Sequence, residues 1–359
     1  MPSWGVGGVQ LRILDVARRL GDGFAHRALS LDGRHEALSR IADGLDVRRV
    51  EPPGGTIGGL RAIRNALRRL FESEGVDLLC TYNWGAIEWA LANRLLRARR
   101  PHLHFESGFG PEEARRPLRR RSLMRRLSLA AVHALVVPSR TLQRIARASH
   151  WIAADRIRLI PNGVDTDFFA PPGERNREPG TPVHIVTVAP LRREKRLDRL
   201  LAIAAPLLAA GRCRLSVLGE GAERATLERQ AADLGIAARV RFAGNVSDIR
   251  PALAEADVFA LSSETEQMPN ALLQAMAMEL PVVAFDAGDV AHILPPVQRN
   301  FVHAQGDEEG FRETLARLCA NGAERRALGR ANRDHVVASY PMARMVGAYR
   351  QLYAEAIAA

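Results

Sequence analysis

The 359-residue chain is 47% hydrophobic and 25% charged, a balance that excludes disorder, collagen and coiled coil as its main state; at about 150 residues per domain it divides into two. No apolar run reaches the roughly 18 to 20 residues of a membrane-spanning helix; residues 200–210 come nearest, and Pro206 interrupts them. Lys and Arg number 51 against 40 Asp and Glu, a formal net charge of +11, which favours polyanionic partners such as nucleic acid, acidic headgroups or phosphorylated substrates.

In chain order, residues 1–8 read as a glycine-rich loop and residues 11–20 as its helix. A doubly wound domain places such a loop after its first strand. No strand precedes it here, so the first strand of this domain is expected to be missing and the true start to lie upstream. Short apolar runs at 76–82, 102–105, 134–138 and 157–161 read as buried strands, with helical patterns between them at 86–96 and 118–129. Strands alternating with helices of this length argue for βαβ units and a parallel sheet.

Residues 170–182, rich in Pro, Gly and charge and without apolar period, read as a linker. A second series follows, with strands at 183–188, 215–218, 240–243, 258–261 and 281–285 and helices at 197–208 and 222–234. The tail from 308 to 357 is helical and broken near Tyr340-Pro341. The expected architecture is α/β, two tandem doubly wound domains facing a cleft. The first is residues 1–169, the second 183–340, and residues 341–359 form a helix that packs back on the first. Ligands in such sheets sit beyond the carboxyl ends of strands, so the cleft is the expected site.

The start lacks the basic-then-apolar layout of a signal peptide. Cys80, Cys213 and Cys319 have neither metal spacing nor a disulfide framework, so a reducing cytoplasm is the expected compartment. Lys195 is the chain's one lysine among 51 basic residues. A genome rich in G and C accounts for the arginines but not for that exception.

Residues 262–277, Ser-Ser-Glu-Thr-Glu-Gln-Met-Pro-Asn-Ala-Leu-Leu-Gln-Ala-Met-Ala, begin at the end of a strand. Pro269 suits a helix start, where its missing N–H costs nothing. A helix from near Asn270 aims free N–H groups at a ligand, as a diphosphate site requires. Glu266 stands just before it, able to accept from sugar hydroxyls, and Gln274 lies one turn inside. An ordinary strand–loop–helix crossover with a solvated acidic loop has the same spacing.

This stretch resembles the Glu–seven residues–Glu signature of the retaining glycosyltransferases of family 4, which have the GT-B fold of two Rossmann-like domains. Other segments match in order: Gly7-Gly8, the acceptor-side loop; Ile160-Pro161-Asn162-Gly163-Val164-Asp165, the hinge motif; residues 188–195, the phosphate-binding strand end; and Leu218-Gly219-Glu220-Gly221, the Gly-x-Gly turn. The resemblance covers nearly the whole chain. It implies that Glu266 contacts the donor sugar, that Lys195 meets the diphosphate, and that Gly219, Gly221, Met268, Asn270, Ala271 and Gln274 line the donor site. Gln274 stands where the family usually has a ribose-binding Glu; an amide still bonds hydroxyls but adds no charge. The arginine that accompanies the lysine would fall at Pro190, leaving Arg192 or Arg193 to reach in or to lie in solvent.

Residues 103–113 resemble the family's histidine-containing acceptor loop. His104 is the first candidate for the polar group near the reacting carbon and Glu106 the second, on one face of a strand at i and i+2. A satisfied structural histidine is the alternative for His104; His102 reads as incidental. Residues 115–127 are basic and amphipathic, with Leu123, Met124 and Leu127 on one helical face. They read either as an element lying on an anionic membrane or as a helix with its apolar face in the core and its arginines in water. No aromatic stacking pattern or zinc spacing supports nucleic-acid binding.

Metal is not indicated; Asp165 and Asp167 match Asp-x-Asp only by letters, inside the hinge motif. The resemblance implies metal-independent transfer. The expected protein is a cytoplasmic hexosyltransferase, at the inner face of the membrane in the membrane-binding reading. It needs no cofactor and takes a nucleotide-diphosphate sugar as donor and a glycan or lipid-linked acceptor, for polysaccharide or glycolipid synthesis. The rivals are a catalytically impaired binding protein, motivated by Pro190 and Gln274, and a phosphorylase or epimerase on the same fold.

Overall fold

The computed structural model describes residues 1–5, 7–40, 47–50, 59–108, 118–173 and 180–359. The chain forms two compact units, one of Met1–Pro161 with Arg344–Ala359 and one of Asn162–Ala343. The hinge-motif residues from Asn162 onward therefore belong to the second unit, and the last sixteen residues of the chain to the first.

In the first unit the order is α1 (Gly8–Leu20), β1 (His26–Leu29), β2 (Val47–Val50), α2 (Leu60–Glu74), β3 (Leu79–Tyr82), α3 (Ile87–Arg94), β4 (His102–Phe105), α4 (Arg119–Leu129), β5 (Ala134–Val137), α5 (Arg140–Ala148) and β6 (Ile157–Leu159). All strand pairs are parallel: β1 with β2 in one sheet, and β3-β4-β5-β6 in another. β4 and β5 are buried at every residue, as expected of parallel strands covered on both faces. Ile63, Leu67 and Phe71 of α2 pack with Trp89 and Ala92 of α3. Ser139 starts α5 by accepting from the Leu142 N–H, satisfying a donor that a helix start leaves over.

The sequence reading has no strand before residue 76, and the structure places two there. β1 and β2, His-Arg-Ala-Leu and Val-Arg-Arg-Val, carry arginine on exposed positions and lack the continuous apolar run of a buried strand.

In the second unit the order is β7 (Val183–Val188), α6 (Leu197–Ala209), β8 (Cys213–Leu218), α7 (Arg224–Asp233), β9 (Val240–Gly244), α8 (Arg250–Glu255), β10 (Val258–Leu261), α9 (Asn270–Ala277), β11 (Val282–Phe285), α10 (Val290–Ile293), β12 (Val302–His303), α11 (Glu308–Ala320), α12 (Gly322–Ser339) and the start of α13 (Met342–Ala358). One parallel sheet runs β12-β11-β10-β7-β8-β9. The chain moves outward from β7 through β8 and β9, then returns to lay β10 on the other side of β7. That reversal opens a crevice beyond the carboxyl ends of β7 and β10. Lys195 follows the first of these strands and Glu266 the second.

Candidate active site

In the second unit, β7 ends in Ala189-Pro190-Leu191 and β8 in Gly219-Glu220-Gly221, and the two turns press together. The Gly219 backbone sits at φ +142°, and a Cβ there would lie 2.0 Å from the Ala189 carbonyl oxygen. A Cβ at Gly221 would lie 2.3 Å from the Leu191 carbonyl oxygen. Both positions require glycine because backbone meets backbone. The Leu191 N–H donates to the Glu220 carbonyl at 2.9 Å, which fixes the strand end from which Lys195 springs.

Lys195 closes a short turn of 3-10 helix, Arg193–Lys195, before Arg196 takes a left-handed backbone at φ +48°. Its Nζ lies 2.6 Å from Glu266 Oε1. The two side chains are only 16% and 10% exposed, so the pair is held largely out of water, where a charge pair needs further hydrogen bonds to be favourable. Ser263 supplies one, its Oγ donating to the same Glu266 oxygen at 2.8 Å. Ser262 Oγ donates to the Lys195 carbonyl at 2.9 Å, and the Glu264 N–H to the Glu194 carbonyl at 2.9 Å. The loop after β10 is thus sewn to the loop after β7 at three levels. Gly288, at φ +60°, lies against the Glu266 peptide: a Cβ there would come within 1.9 Å of the Glu266 carbonyl oxygen.

α9 begins at Asn270 after Pro269, with no side-chain cap. Its first turn lies at the positive end of the helix dipole, which favours negative charge. Asn162 holds this approach: its Nδ2 donates to the Met268 carbonyl at 2.8 Å and to Asn270 Oδ1 at 2.9 Å. Met268 is buried, while Ala271 and Gln274 are half-buried. Pro190, Arg192 and Arg193 are exposed. Ser263, Gly288 and Asn162 are the supporting residues that sequence reasoning missed. Asn162 stood inside a recognised motif; Ser263 and Gly288 act through contacts that no local pattern encodes.

In the first unit, Gly7 and Gly8 open α1, where a Cβ at Gly7 would meet Gln10 Oε1 at 2.8 Å. One turn on, Arg12 Nη2 donates to Ser107 Oγ at 2.9 Å, tying α1 to the segment after β4. Residues 109–113 of the proposed acceptor loop lie outside the described residues. His104 and Glu106 do share one face, but His104 is fully buried and Glu106 3% exposed. Thr81 Oγ1 lies 2.7 Å from His104 Nδ1 and 2.6 Å from His102 Nε2. One hydroxyl has one proton to give, so at least one imidazole donates to it. Burial, reinforced by His104 nearby, pushes the His102 pKa down to about 3. His102 belongs to the same buried network. Glu106 Oε2 accepts from Arg125 Nε at 3.2 Å, and His104 Nε2 stands 3.8 Å from it.

Arg125 revises the reading of α4. Its side chain is 1% exposed and its guanidinium lies 5.0 Å from the Trp84 ring centroid. The buried face of α4 carries Ser122, Arg125, Ser128 and Leu129, with Met124 part-buried, while Leu123 is 52% and Leu127 47% exposed. The alternative in which Leu123, Met124 and Leu127 turn their shared face to the core is overturned: Arg125 takes the core position to meet Glu106, and Leu123 and Leu127 lie outside. Arg119, Arg120 and Arg126 remain outside with the two leucines. Trp151, 60% exposed, lies under the Arg126 guanidinium at 5.0 Å.

Two family models match. Glycosyltransferase Family 4 covers residues 6–168 and Glycosyl transferases group 1 covers residues 182–321. The chain is 34% identical over 140 residues to the lipopolysaccharide core biosynthesis glycosyltransferase LpsE of Rhizobium meliloti, over 39% of this chain and 41% of that protein. It is 30% identical over 226 residues to the sulfoquinovosyl transferase SQD2 of Arabidopsis thaliana, over 59% of this chain and 42% of that one. The matches thus span about two fifths of the length of these relatives. Among solved structures, Anabaena HepE in complex with UDP and glucose superposes with a TM-score of 0.81 at 17% identity, over 99% of this chain and 98% of that one. That likeness shows the fold, GT-B with two Rossmann-like domains.

Proposed function

Because the chain belongs to the group 1, family 4 glycosyltransferases, we propose that it moves a hexose from a nucleotide-diphosphate sugar to a glycan or lipid-linked acceptor, with retention at the anomeric carbon. The second unit binds the donor and the first the acceptor. The carrying observation is the Lys195–Glu266 pair at the crevice of the second sheet, just before the N-terminus of α9 and the positive end of its dipole. A diphosphate accepts from Lys195 Nζ and from the first N–H groups of α9, while Glu266 accepts from sugar hydroxyls. As the sugar–phosphate bond breaks, negative charge grows on the diphosphate, and cations already aimed at it lower the barrier. No side chain is assigned as nucleophile. The departing phosphate takes the acceptor proton on the same face of the sugar, which gives retention without a covalent enzyme intermediate.

In the first unit His104, Glu106 and the Gly7-Gly8 turn serve the acceptor. The burial of His104 and Glu106 gives them a supporting part, setting the segment after β4 rather than entering water. The exposed face of α4 suits an anionic membrane: apolar Leu123 and Leu127, with Trp151 beside them, are interleaved with Arg119, Arg120 and Arg126. Aromatic and leucine side chains enter the headgroup boundary while arginines meet the phosphates. No helix among the described residues is long and apolar enough to cross a membrane, and the protein acts from the surface, at the cytoplasmic side.

Thermal stabilisation by a panel of nucleotide-diphosphate sugars tests the donor half, since a ligand that binds only the folded state raises apparent stability by mass action. One or more is expected to raise the melting temperature in wild type and none in Lys195→Ala. The anomeric configuration of the product, read by NMR, tests retention. A panel with no stabilising member overturns the donor assignment, and an inverted product overturns the retaining one.

A further inference from the structure

Arg199 lies in α6 and is buried there with Leu197, Leu200 and Leu201. The central carbon of its guanidinium stands 3.5 Å from the ring centroid of Phe285 in β11. Nη2 donates to the Ser262 carbonyl, and Nη1 to Gln305 Oε1 at 3.1 Å. Both acceptors are neutral. Desolvation pulls the Arg199 pKa down, and a buried cation is tolerated only where its hydrogen bonds are met. A leucine would fill this core position without that cost, so the position is explained by what the guanidinium holds.

Gln305 follows β12 and is exposed. Its Nε2 donates to the Ser263 carbonyl at 3.2 Å and to the Asp286 carbonyl at 3.0 Å. With Oε1 accepting from Arg199, the amide has both its protons and its oxygen engaged. The two carbonyls belong to the two loops that surround Glu266. The loop after β10 carries Ser263, whose hydroxyl holds the carboxylate, and Ser262, whose hydroxyl holds the Lys195 carbonyl. The loop after β11 carries Gly288, against the Glu266 peptide, and Asp289, whose N–H donates to the Gln267 carbonyl at 3.3 Å. One amide bridges both loops, and one guanidinium fixes the amide.

We propose that Arg199 and Gln305 are positioning residues, a buried guanidinium and a side-chain amide that clamp the loops after β10 and β11 around Glu266 and so set the Lys195–Glu266 pair for the donor. The clamp acts through the carbonyls of Ser262, Ser263 and Asp286, without touching substrate. Its part in catalysis rests on the reading that this pair meets the donor. The clamp requires an amide at 305. A glutamate of the same shape accepts from Arg199 more strongly, but it has no N–H to give and sets a negative oxygen against two carbonyls.

Gln305→Glu and Gln305→Ala test the clamp, and because Gln305 is exposed the fold is expected to survive both. Each is expected to lower turnover at saturating donor about tenfold, through the two hydrogen bonds lost. The KM for the acceptor should not change, and the melting temperature should stay close to that of wild type. Amide exchange gives a readout that needs no donor. The Glu264 N–H, which donates to the Glu194 carbonyl, and the Asp289 N–H are expected to exchange about tenfold faster in both variants, while the amides of β7 and β8 keep their rates. Wild-type turnover in either variant would overturn the proposal; in the alanine variant alone, it would trace the glutamate's loss to its charge. Unchanged exchange at both amides would also overturn it. If no nucleotide-diphosphate sugar stabilises the wild type, the donor reading fails, while faster exchange in the variants still upholds the clamp.

Discussion

Lys195 Nζ and Glu266 Oε1, 71 residues apart in the chain, lie 2.6 Å from each other with Ser263 Oγ on the same carboxylate oxygen. The space for a cation here is therefore set by a carboxylate and a hydroxyl that are both fixed. An ammonium is a compact charge on a slim stem, whereas a guanidinium is a broad planar fork. Lys195→Arg is expected to lower turnover at saturating donor nearly as much as Lys195→Ala. The expected loss is about 2 to 4 kcal/mol of barrier stabilisation, as for other preorganised electrostatic donors, with little change in melting temperature. Wild-type turnover in the arginine variant would mean that charge alone suffices.

Ser263 is 1% exposed and fixes one oxygen of Glu266, leaving the other to a ligand. A hydrogen bond to a charged group contributes about 1.5 to 3 kcal/mol. Ser263→Ala is expected to lower turnover by about tenfold or more through a misplaced Glu266. The KM for the acceptor should not change. Steady-state kinetics with each substrate varied in turn will separate the two, and an unchanged turnover would show that Lys195 alone orients the carboxylate.

Much of this fold was legible because its central strands are continuous apolar runs with polar borders. The bounds read for β4, β7 and β10 agree with the structure to the residue. β1 and β2 escaped because Arg27, Arg48 and Arg49 break their apolar pattern, and β12 because it is two residues long. In α4 the spacing of Leu123, Met124 and Leu127 marks an apolar face but not whether it meets the core or a membrane; the buried carboxylate of Glu106 decides against the core by drawing Arg125 inward. Lys195 and Glu266 could be named from their motifs. Their pairing, and the parts of Ser263 and Gly288, depend on β10 returning beside β7, a long-range event that no local pattern records.

Gly288 gives a test of that packing. Its φ of +60° strains any side chain, and a Cβ would overlap the Glu266 carbonyl. Gly288→Ala is expected to displace the Glu266 peptide, destabilise the fold by about 1 to 3 kcal/mol as strained backbone positions do, and abolish thermal stabilisation by the donor. Differential scanning fluorimetry with and without donor measures both effects. Retained donor stabilisation would show that Glu266 tolerates the shift.

The membrane reading separates the arginines of α4 into two groups. Replacing Arg119, Arg120 and Arg126 by glutamine is expected to weaken binding to anionic vesicles by about 3 kcal/mol, at roughly 1 kcal/mol per basic residue near such a surface. Arg125→Gln leaves Glu106 buried without its cation and is expected to destabilise the protein by about 3 to 5 kcal/mol. Co-sedimentation measures the first effect and urea unfolding the second. Vesicle binding unchanged in the triple variant would leave the exposed leucines without a lipid partner.

Acid stability follows from a buried base in the first unit. Burial with His104 nearby lowers His102 from 6.5 to about 3. It is neutral in the folded protein and takes up a proton more readily when unfolded, so the unfolded state gains a proton as pH falls and stability drops with it. His102 acts between about pH 6.5 and 3, at about 1.4 kcal/mol per pH unit. His335, also lowered by burial, adds in the same sense. Melting temperatures at pH 8, 7, 6 and 5 are expected to fall most steeply below 6.5, and His102→Gln should flatten the loss there. A melting temperature level from pH 8 to 5 would mean that His102 reaches water in the folded protein.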